Sequence, residues 1–118
     1  MQFVLMIYQG TTPLPGTDRW KALPEPEQKR IYAEYGANRT AGVTPGLPLG
    51  LPMDAKTVRV TAGRTQVDDG PYVDAGRAVG GYLVFEADDL EAAIELASRI
   101  PSARLGGAVE VRPVAQYW

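Results

Sequence analysis

The chain contains no cysteine and no histidine among its 118 residues. Without cysteine, the chain can form no disulfide bond, no thiolate metal site and no cysteine nucleophile. Without histidine, it lacks the side chain that most often acts as a general base and metal ligand near neutral pH. Ser-His triads, HExxH zinc sites and histidine-ligated haem are therefore excluded. Any catalysis must come from Asp, Glu, Lys, Arg, Tyr, Ser or Thr.

Clustered positive charge is also missing. The 12 Lys and Arg residues are scattered, the formal net charge is −2 and the pI is near 5.1. Because no basic stripe could neutralise a row of phosphates, we expect no direct binding to nucleic acid. The acidic cluster Asp88, Asp89 and Glu91 is typical of a helix start, whereas a hard cation needs oxygen ligands from several converging elements. We therefore expect no metal and no cofactor.

The apolar run Phe3–Tyr8 is far shorter than the roughly 20 residues that a bilayer span needs. No positively charged region precedes it, so a signal peptide is not expected. We interpret the run as a buried first strand and expect a cytoplasmic protein that does not bind membranes. The length and the 45% hydrophobic content suit one domain over residues 1–118.

The pattern along the chain predicts five strands and two helices. The first strand is 2–8, and a helix begins near Pro26, with Gly42 as its C-terminal stop. Residues 42–53 alternate glycine and proline too densely for a helix or a central strand, but their apolar side chains predict that they lie against another element. Two strands, Lys56–Thr61 and Thr65–Val67, form a hairpin through Ala62-Gly63-Arg64. A strand over 81–87, a helix capped by Asp88 and ended by Pro101, and a strand over 108–114 complete the chain.

This β-α-β-β-β-α-β order predicts an α+β, ferredoxin-like fold with an antiparallel sheet. Two helices cannot cover both faces of such a sheet, so an apolar face would stay bare. A second copy of the chain is the simplest cover, and we expect a homodimer that packs sheet to sheet.

One segment carries a family resemblance. Residues 68–85, DDGPYVDAGRAVGGYLVF, resemble the signature of the DGPF-type branch of the YCII-related family, in which Asp-Gly-Pro-Phe precedes a Gly-Gly-aromatic strand. The strand MQFVLMIY, the run KTVRVTAGRTQ, the helix start ADDLEAAIELASRIPSAR and the closing VEVRPV extend the similarity to most of the chain. The resemblance implies a dimeric α+β barrel type of fold. The resemblance to distant YCII relatives would imply a His-Asp pair, which this chain cannot supply because it has no histidine, and Tyr72 stands where the motif has Phe.

The signature supplies the candidate site residues Asp69, Tyr72 and Tyr82, and Arg59 joins them as a charge among valines. The motif Asp69-Gly70-Pro71 is explained either as turn chemistry, with Gly70 at positive φ, or as part of a ligand site. Arg59, like Arg112, either lies at a solvent-exposed rim or recognises an anion in a cleft. The tyrosines at positions 8, 72 and 82 suit core or dimer packing better than hydroxyl chemistry.

Three functions remain open. The first is a homodimer that binds a small, partly apolar anionic ligand beside the signature, with Arg59, Asp69, Tyr72 and Tyr82 as its contacts. The second is a cofactor-independent isomerase, lyase or oxygenase, with Asp69 as a buried base, Tyr72 as a proton donor and Arg59 as a substrate anchor. The third is an accessory protein-interaction module. The sequence does not settle whether the protein is an enzyme.

Overall fold

The computed structural model describes residues 1–117, which form six strands and three α-helices. Three 3₁₀ turns, at Pro52–Asp54, Ala75–Arg77 and Pro101–Ala103, lie between them. No helix in this part of the chain has both the length and the apolar character to cross a bilayer. The elements are, in order, β1 (Gln2–Tyr8), α1 (Asp18–Lys21), α2 (Glu25–Ala37), β2 (Val43–Pro45), β3 (Lys56–Thr61), β4 (Arg64–Asp69), β5 (Val79–Glu86), α3 (Leu90–Ser98) and β6 (Ala108–Pro113).

The main sheet has four strands in the order β2-β5-β1-β6, and every neighbouring pair is antiparallel. With α2 between β1 and β2, and α3 between β5 and β6, the chain makes two β-α-β units around antiparallel strands. The predicted α+β, ferredoxin-like fold is therefore confirmed. The strand that follows α2 in this sheet is β2, which the sequence pattern did not predict.

The Gly-Pro-rich segment after β2 runs along the edge of the sheet. Pro45 is accommodated because an edge strand can leave one side of its backbone unpaired. Beyond it, the Gly46 N–H donates to the Tyr82 carbonyl and the Leu49 N–H donates to the Gly80 carbonyl, each at 3.0 Å. Residues 43–49 thus lie against β5 through their backbone, as predicted for part of the segment, but the apolar side chains of Leu47, Leu49, Leu51 and Met53 are 40–76% exposed.

The hairpin of β3 and β4 forms a separate two-stranded sheet. Its turn is Ala62-Gly63, with φ of 51° and 76°, as a two-residue hairpin turn with both central residues at positive φ requires. Three valines of the hairpin are 59%, 66% and 58% exposed, namely Val58, Val60 and Val67. An isolated two-stranded hairpin is marginally stable in water, and this one exposes three valines on one face.

The core lies between the sheet and α3. The residues at its centre are buried and apolar, namely Phe3, Leu5, Leu83, Ala87, Ala93, Leu96, Ala97 and Ile100. Asp89 begins α3, because its side chain accepts a hydrogen bond from the Ala92 N–H at 2.9 Å. The predicted cap, Asp88, was wrong by one residue. Two neighbouring aspartates suit the role equally, and the fold selects the second.

Helix α2 is held at its C-terminal end. The Tyr35 hydroxyl lies 3.0 Å from Ser102 Oγ, and Asn38 Nδ2 donates to the carbonyls of Glu34 and Arg99. The bond from Asn38 back to Glu34 closes the last turn, so the helix ends at Ala37, five residues before the glycine predicted as its stop. Ile31 is the buried residue of this helix. The helix is therefore tied to the 99–104 segment by polar contacts at one end.

An ion pair strengthens this attachment. Arg104 Nη2 donates to both carboxylate oxygens of Glu34, each at 2.6 Å. These hydrogen bonds hold the pKa of the Glu34 carboxyl below its ordinary value and raise the pKa of Arg104. Both side chains are partly exposed, so solvent weakens the pair.

Candidate functional site

The signature turn, which follows β4, is hydrogen-bonded to residues at the start of β3. Gly70 has φ of +95°, a conformation that L residues rarely adopt and that the turn interpretation of the motif requires. Its N–H donates to the Ala55 carbonyl, and its carbonyl accepts a hydrogen bond from Thr57 Oγ1, both at 2.8 Å. A Cβ at Gly70 would meet no atom within 4 Å, so glycine is needed here for its backbone conformation alone.

The charged residues of the hairpin pair with one another. Asp69 lies directly opposite Lys56 and forms an ion pair with its ammonium group. Arg59 lies opposite Gln66, and its Nη2 is 3.6 Å from Asp68 Oδ2. Arg59 and Asp69 therefore lie on opposite faces of the hairpin and cannot both contact one ligand from the same side. The Asp69 side chain is 86% exposed, so it lacks the burial that the general-base hypothesis requires.

A cleft of about 560 Å³ lies beside the signature, and we call it the signature cleft. It is lined by Tyr8, Leu49, Gly50, Leu51, Pro52, Asp54, Ala55, Pro71, Tyr72, Val73, Arg77, Ala78 and Val79. Most of these side chains are apolar, and the charged ones are Asp54 and Arg77. Among residues 1–117, Arg77 forms no ion pair. Its guanidinium is therefore available to an anionic ligand.

Tyr8 contributes a hydroxyl to one wall of the signature cleft. The hydroxyl donates to Glu110 Oε2 at 2.9 Å, across β1 and β6. This hydrogen bond raises the pKa of Tyr8; partial burial and the Glu110 charge act in the same direction, while Arg112 opposes them. The phenol therefore stays protonated at neutral pH. Because its proton is already donated to Glu110, the hydroxyl can only accept a hydrogen bond from a ligand.

The two remaining tyrosine candidates lie in different places. Tyr72 lines the signature cleft and is 77% exposed. Tyr82 lies on β5 opposite Met6, lines a second cavity described below, and packs against Gly46: a Cβ there would be 2.7 Å from the Tyr82 Cε2. Tyr82 is not part of the signature cleft. Of the four candidate residues, the structure brings only Tyr72 to this cleft.

The sheet face opposite the helices carries apolar side chains. Val4 and Met6 alternate with the core residues of β1, and Val84 lies opposite Val4 on β5. Tyr8 continues the same face at the cleft end, and Arg112 lies opposite Val4 on β6. We call this surface the bare sheet face. It borders the signature cleft through Tyr8.

A family model described as the YCII-related domain matches residues 1–117. The chain belongs to the YCII-related family. Among curated proteins, an uncharacterised protein of Rhizobium meliloti (strain 1021) is 34% identical over 64 residues. That alignment covers 53% of this chain and 52% of the relative, so it spans about half of the relative's length.

In this YCII-related domain, sequence reasoning missed the cation that lies in the cleft. Arg77 lies within the signature segment itself, six residues after Pro71. Residues 49–52 of the lining come from the Gly-Pro-rich segment, and Asp54 directly follows that segment. One signal was present in the sequence: Arg77 is flanked by Gly76 and Ala78, small residues that leave a long side chain free to reach its surroundings.

Proposed function

We propose that this YCII-related domain is a homodimer that binds a small, partly apolar anion in the signature cleft. The observation that supports this most directly is Arg77, a cation without a carboxylate partner among residues 1–117 that lines a mainly apolar cleft. The cleft volume of about 560 Å³ lies within the range of pockets that hold small molecules.

The lining of the cleft determines the kind of ligand. A guanidinium offers several N–H donors in one plane and matches a carboxylate or phosphate better than any neutral group. Leu49, Leu51 and Val73 offer apolar surface around it. Asp54 on the same cleft would repel a second negative charge placed near it. A monoanion with an apolar body fits this arrangement best.

The homodimer is supported by the amount of surface that one chain leaves exposed. The accessible surface is 8270 Å². A folded monomer of 12.7 kDa is expected to expose about 6,200 Å², so this chain exposes about 2,000 Å² more. A standard protein interface covers about 800 Å² on each partner. The excess is therefore large enough for an extensive interface between two copies.

The bare sheet face and the hairpin valines are the apolar surfaces that a second copy would cover. Val4, Met6 and Val84 lie on the first, and the exposed hairpin valines lie on the second. A partner on the bare sheet face would also cover the Tyr8 side of the signature cleft and reduce its access to water. A charge pair with Arg77 would then be stronger, because a less polar surrounding screens it less.

Sedimentation equilibrium tests the dimer. We expect twice the 12.7 kDa chain mass at micromolar concentration, and Met6→Glu should shift the protein toward monomer by placing an unpaired charge in the interface. Ala33→Glu, at an exposed position of α2 and therefore outside both proposed surfaces, is the matched control and should leave the mass unchanged. A wild-type protein that sediments as a monomer would refute the dimer.

Calorimetric titration tests the ligand, with benzoate as the anionic probe and benzyl alcohol as its neutral analogue. Arg77→Gln should weaken benzoate binding by about 10- to 100-fold and leave benzyl alcohol nearly unaffected. Arg59→Gln removes a cation that lies outside the cleft and should change neither affinity. A selective loss of benzoate binding in the Arg59 variant would instead support the sequence-based hypothesis and remove Arg77 from the site. Native mass spectrometry of freshly purified protein would identify a ligand retained from the cell.

The enzyme hypothesis required Asp69, Tyr72 and Arg59 to converge on one substrate. The hairpin places Asp69 and Arg59 on opposite faces, and neither lines the signature cleft. The geometry of these three residues therefore favours binding over the proposed acid-base chemistry.

A further inference from the structure

A second cavity, of about 350 Å³, lies on the opposite side of the sheet, beneath α2. We call it the helix-side cavity. Ile7, Gly81 and Leu83 of the sheet form its base, and Ile31, Tyr32 and Tyr35 of α2 lie above them. Hydrogen bonds tie the C-terminal end of α2 to the 99–104 segment, and the cavity lies between this helix and the strands.

Gly81 makes this space larger. It lies opposite Ile7 and has the same orientation as Leu83, so a side chain here would point toward the helices. Gly81 is buried, yet a Cβ added to it would meet no atom within 4 Å. Protein interiors are normally packed as densely as organic crystals, and a valine would suit this strand position. The glycine therefore preserves a volume that ordinary core packing would fill.

The neighbouring Gly80 has no such empty space where its Cβ would be. A Cβ at Gly80 would collide with the side chain of Gln9, which lies directly over it. Gly80 is thus explained by close packing, whereas Gly81 is not. Two adjacent glycines of the signature have two different physical roles.

The walls of the helix-side cavity are aromatic. Trp20 and Tyr32 meet edge to face, with ring centroids 5.1 Å apart and an interplanar angle of 71°. The Tyr35 hydroxyl is bound to Ser102, which leaves its ring to the cavity. Such surfaces prefer flat rings in stacked or edge-on contact. In another protein a cavity of about 150 Å³ holds benzene, so this larger volume suits one or two fused rings.

The polar groups that line the cavity are neutral apart from Arg39. Asn38 is 6% exposed, and its amide nitrogen is used in bonds to two carbonyls, while its Oδ1 accepts no hydrogen bond from residues 1–117. The Gln9 side chain likewise makes no hydrogen bond within the same residues. Oδ1 is not among the fully buried, unpaired side-chain atoms of residues 1–117, so it is accessible to a ligand that supplies a donor.

We propose that the helix-side cavity is a second binding site, for a flat aromatic molecule of one or two rings that carries an N–H or O–H donor. Indoles and phenols are the chemical classes that combine these features. Asn38 Oδ1 accepts the donor, the rings of Trp20 and Tyr32 contact the faces and edges of the ligand, and Gly81 leaves the room beneath it. This site is separate from the signature cleft and does not depend on it.

Calorimetric titration with indole tests the site. Wild-type protein should bind indole, and Gly81→Val should reduce the affinity at least about tenfold, because the added side chain fills the cavity. Gly36→Ala is the matched control, since its added Cβ also meets nothing within 4 Å but lies on the exposed side of α2. This variant should bind indole as the wild type does.

Further variants keep the test decisive. If Gly81→Val does not fold, Gly81→Ala should still weaken indole binding by a smaller factor while preserving the circular dichroism spectrum. Arg77→Gln, which changes the signature cleft, should leave indole binding unaltered. 1-Methylindole, which lacks the donor, should bind more weakly than indole to the wild type. No binding of indole to the wild type, or equal binding to wild type and folded Gly81→Val, would overturn the proposal.

Discussion

Replacing Gly70 with alanine tests whether the signature turn stabilises the hairpin. At φ of +95°, a side chain clashes with its own backbone, and left-handed conformations cost L residues about 1–2 kcal/mol. The added Cβ meets no other atom within 4 Å, so no further steric penalty is expected. If the backbone shifts to relieve the strain, the hydrogen bonds to Ala55 and from Thr57 weaken as well. We therefore expect a loss of about 1–2 kcal/mol.

Two measurements separate a global effect from a local one. Urea denaturation reports the free energy of unfolding of the whole domain, and amide hydrogen exchange reports the opening of the hairpin alone. If the hairpin opens locally, its ladder amides should exchange about 5- to 30-fold faster in Gly70→Ala, while the amides of β1 keep their rates. If the hairpin unfolds with the domain, the urea midpoint should fall instead.

Gly76→Ala is the matched control for this prediction. Gly76 lies in the same signature segment and also has nothing within 4 Å of its missing Cβ, but its φ is outside the left-handed range. Its substitution should leave both the urea midpoint and the exchange rates unchanged. A Gly70→Ala variant that behaves like Gly76→Ala in both measurements would show that the turn at Gly70 does not stabilise the hairpin.

The remaining predictions concern pairs and packing elsewhere in the chain. Because the pKa of Glu34 is lowered by Arg104, its stabilisation is present above its unfolded pKa, near 4.5, and is lost as pH falls through the lower folded pKa. Glu34→Gln should thus cost about 0.5–1 kcal/mol at pH 7 and nearly nothing at strongly acid pH, as measured by urea denaturation across that range. Leu5→Ala should cost about 2–5 kcal/mol in the same assay, since the side chain is fully buried, and a loss under 1 kcal/mol would contradict the core described above. In an alkaline absorbance titration, one tyrosine should ionise above its ordinary pKa, and Glu110→Gln should lower the pKa of that group, Tyr8. An unchanged titration curve in the variant would show that Glu110 does not hold the phenol.

The strong local patterns predicted most of the secondary structure correctly. The unbroken apolar run gave β1 at its observed bounds, and the helical spacing of Leu90, Ala93 and Ala97 gave α3. Strand β2 was missed because three residues that end in proline carry no strand pattern of their own. Only the pairing of Val43 with Phe85 defines it, and a pairing between distant residues cannot be read from local periodicity.

The hairpin turn shows a second limit of prediction from sequence, and this error changed the candidate site. A three-residue connection, Ala62-Gly63-Arg64, was predicted, but the turn has two residues, and Arg64 is the first residue of β4. One residue of difference in the turn moves every cross-strand pair by one position and changes which side chains share a face. Arg59 consequently shares its face with Gln66 and Asp68, and Asp69 lies on the other face.

The position of the hairpin relative to the main sheet could not be predicted from the sequence either. Alternating valines show that one face of a strand is apolar, whether that face is covered by the same chain or by another. Here the hairpin stands apart from the main sheet, which removes Arg59 from the cleft and leaves Arg77 as its cation. The same separation exposes Val58 and Val60, so one structural feature both changes the candidate anion site and supports the dimer. If a second copy covers those valines, Val58→Asp should weaken the dimer as Met6→Glu does, whereas a hairpin that contacts nothing would tolerate the change.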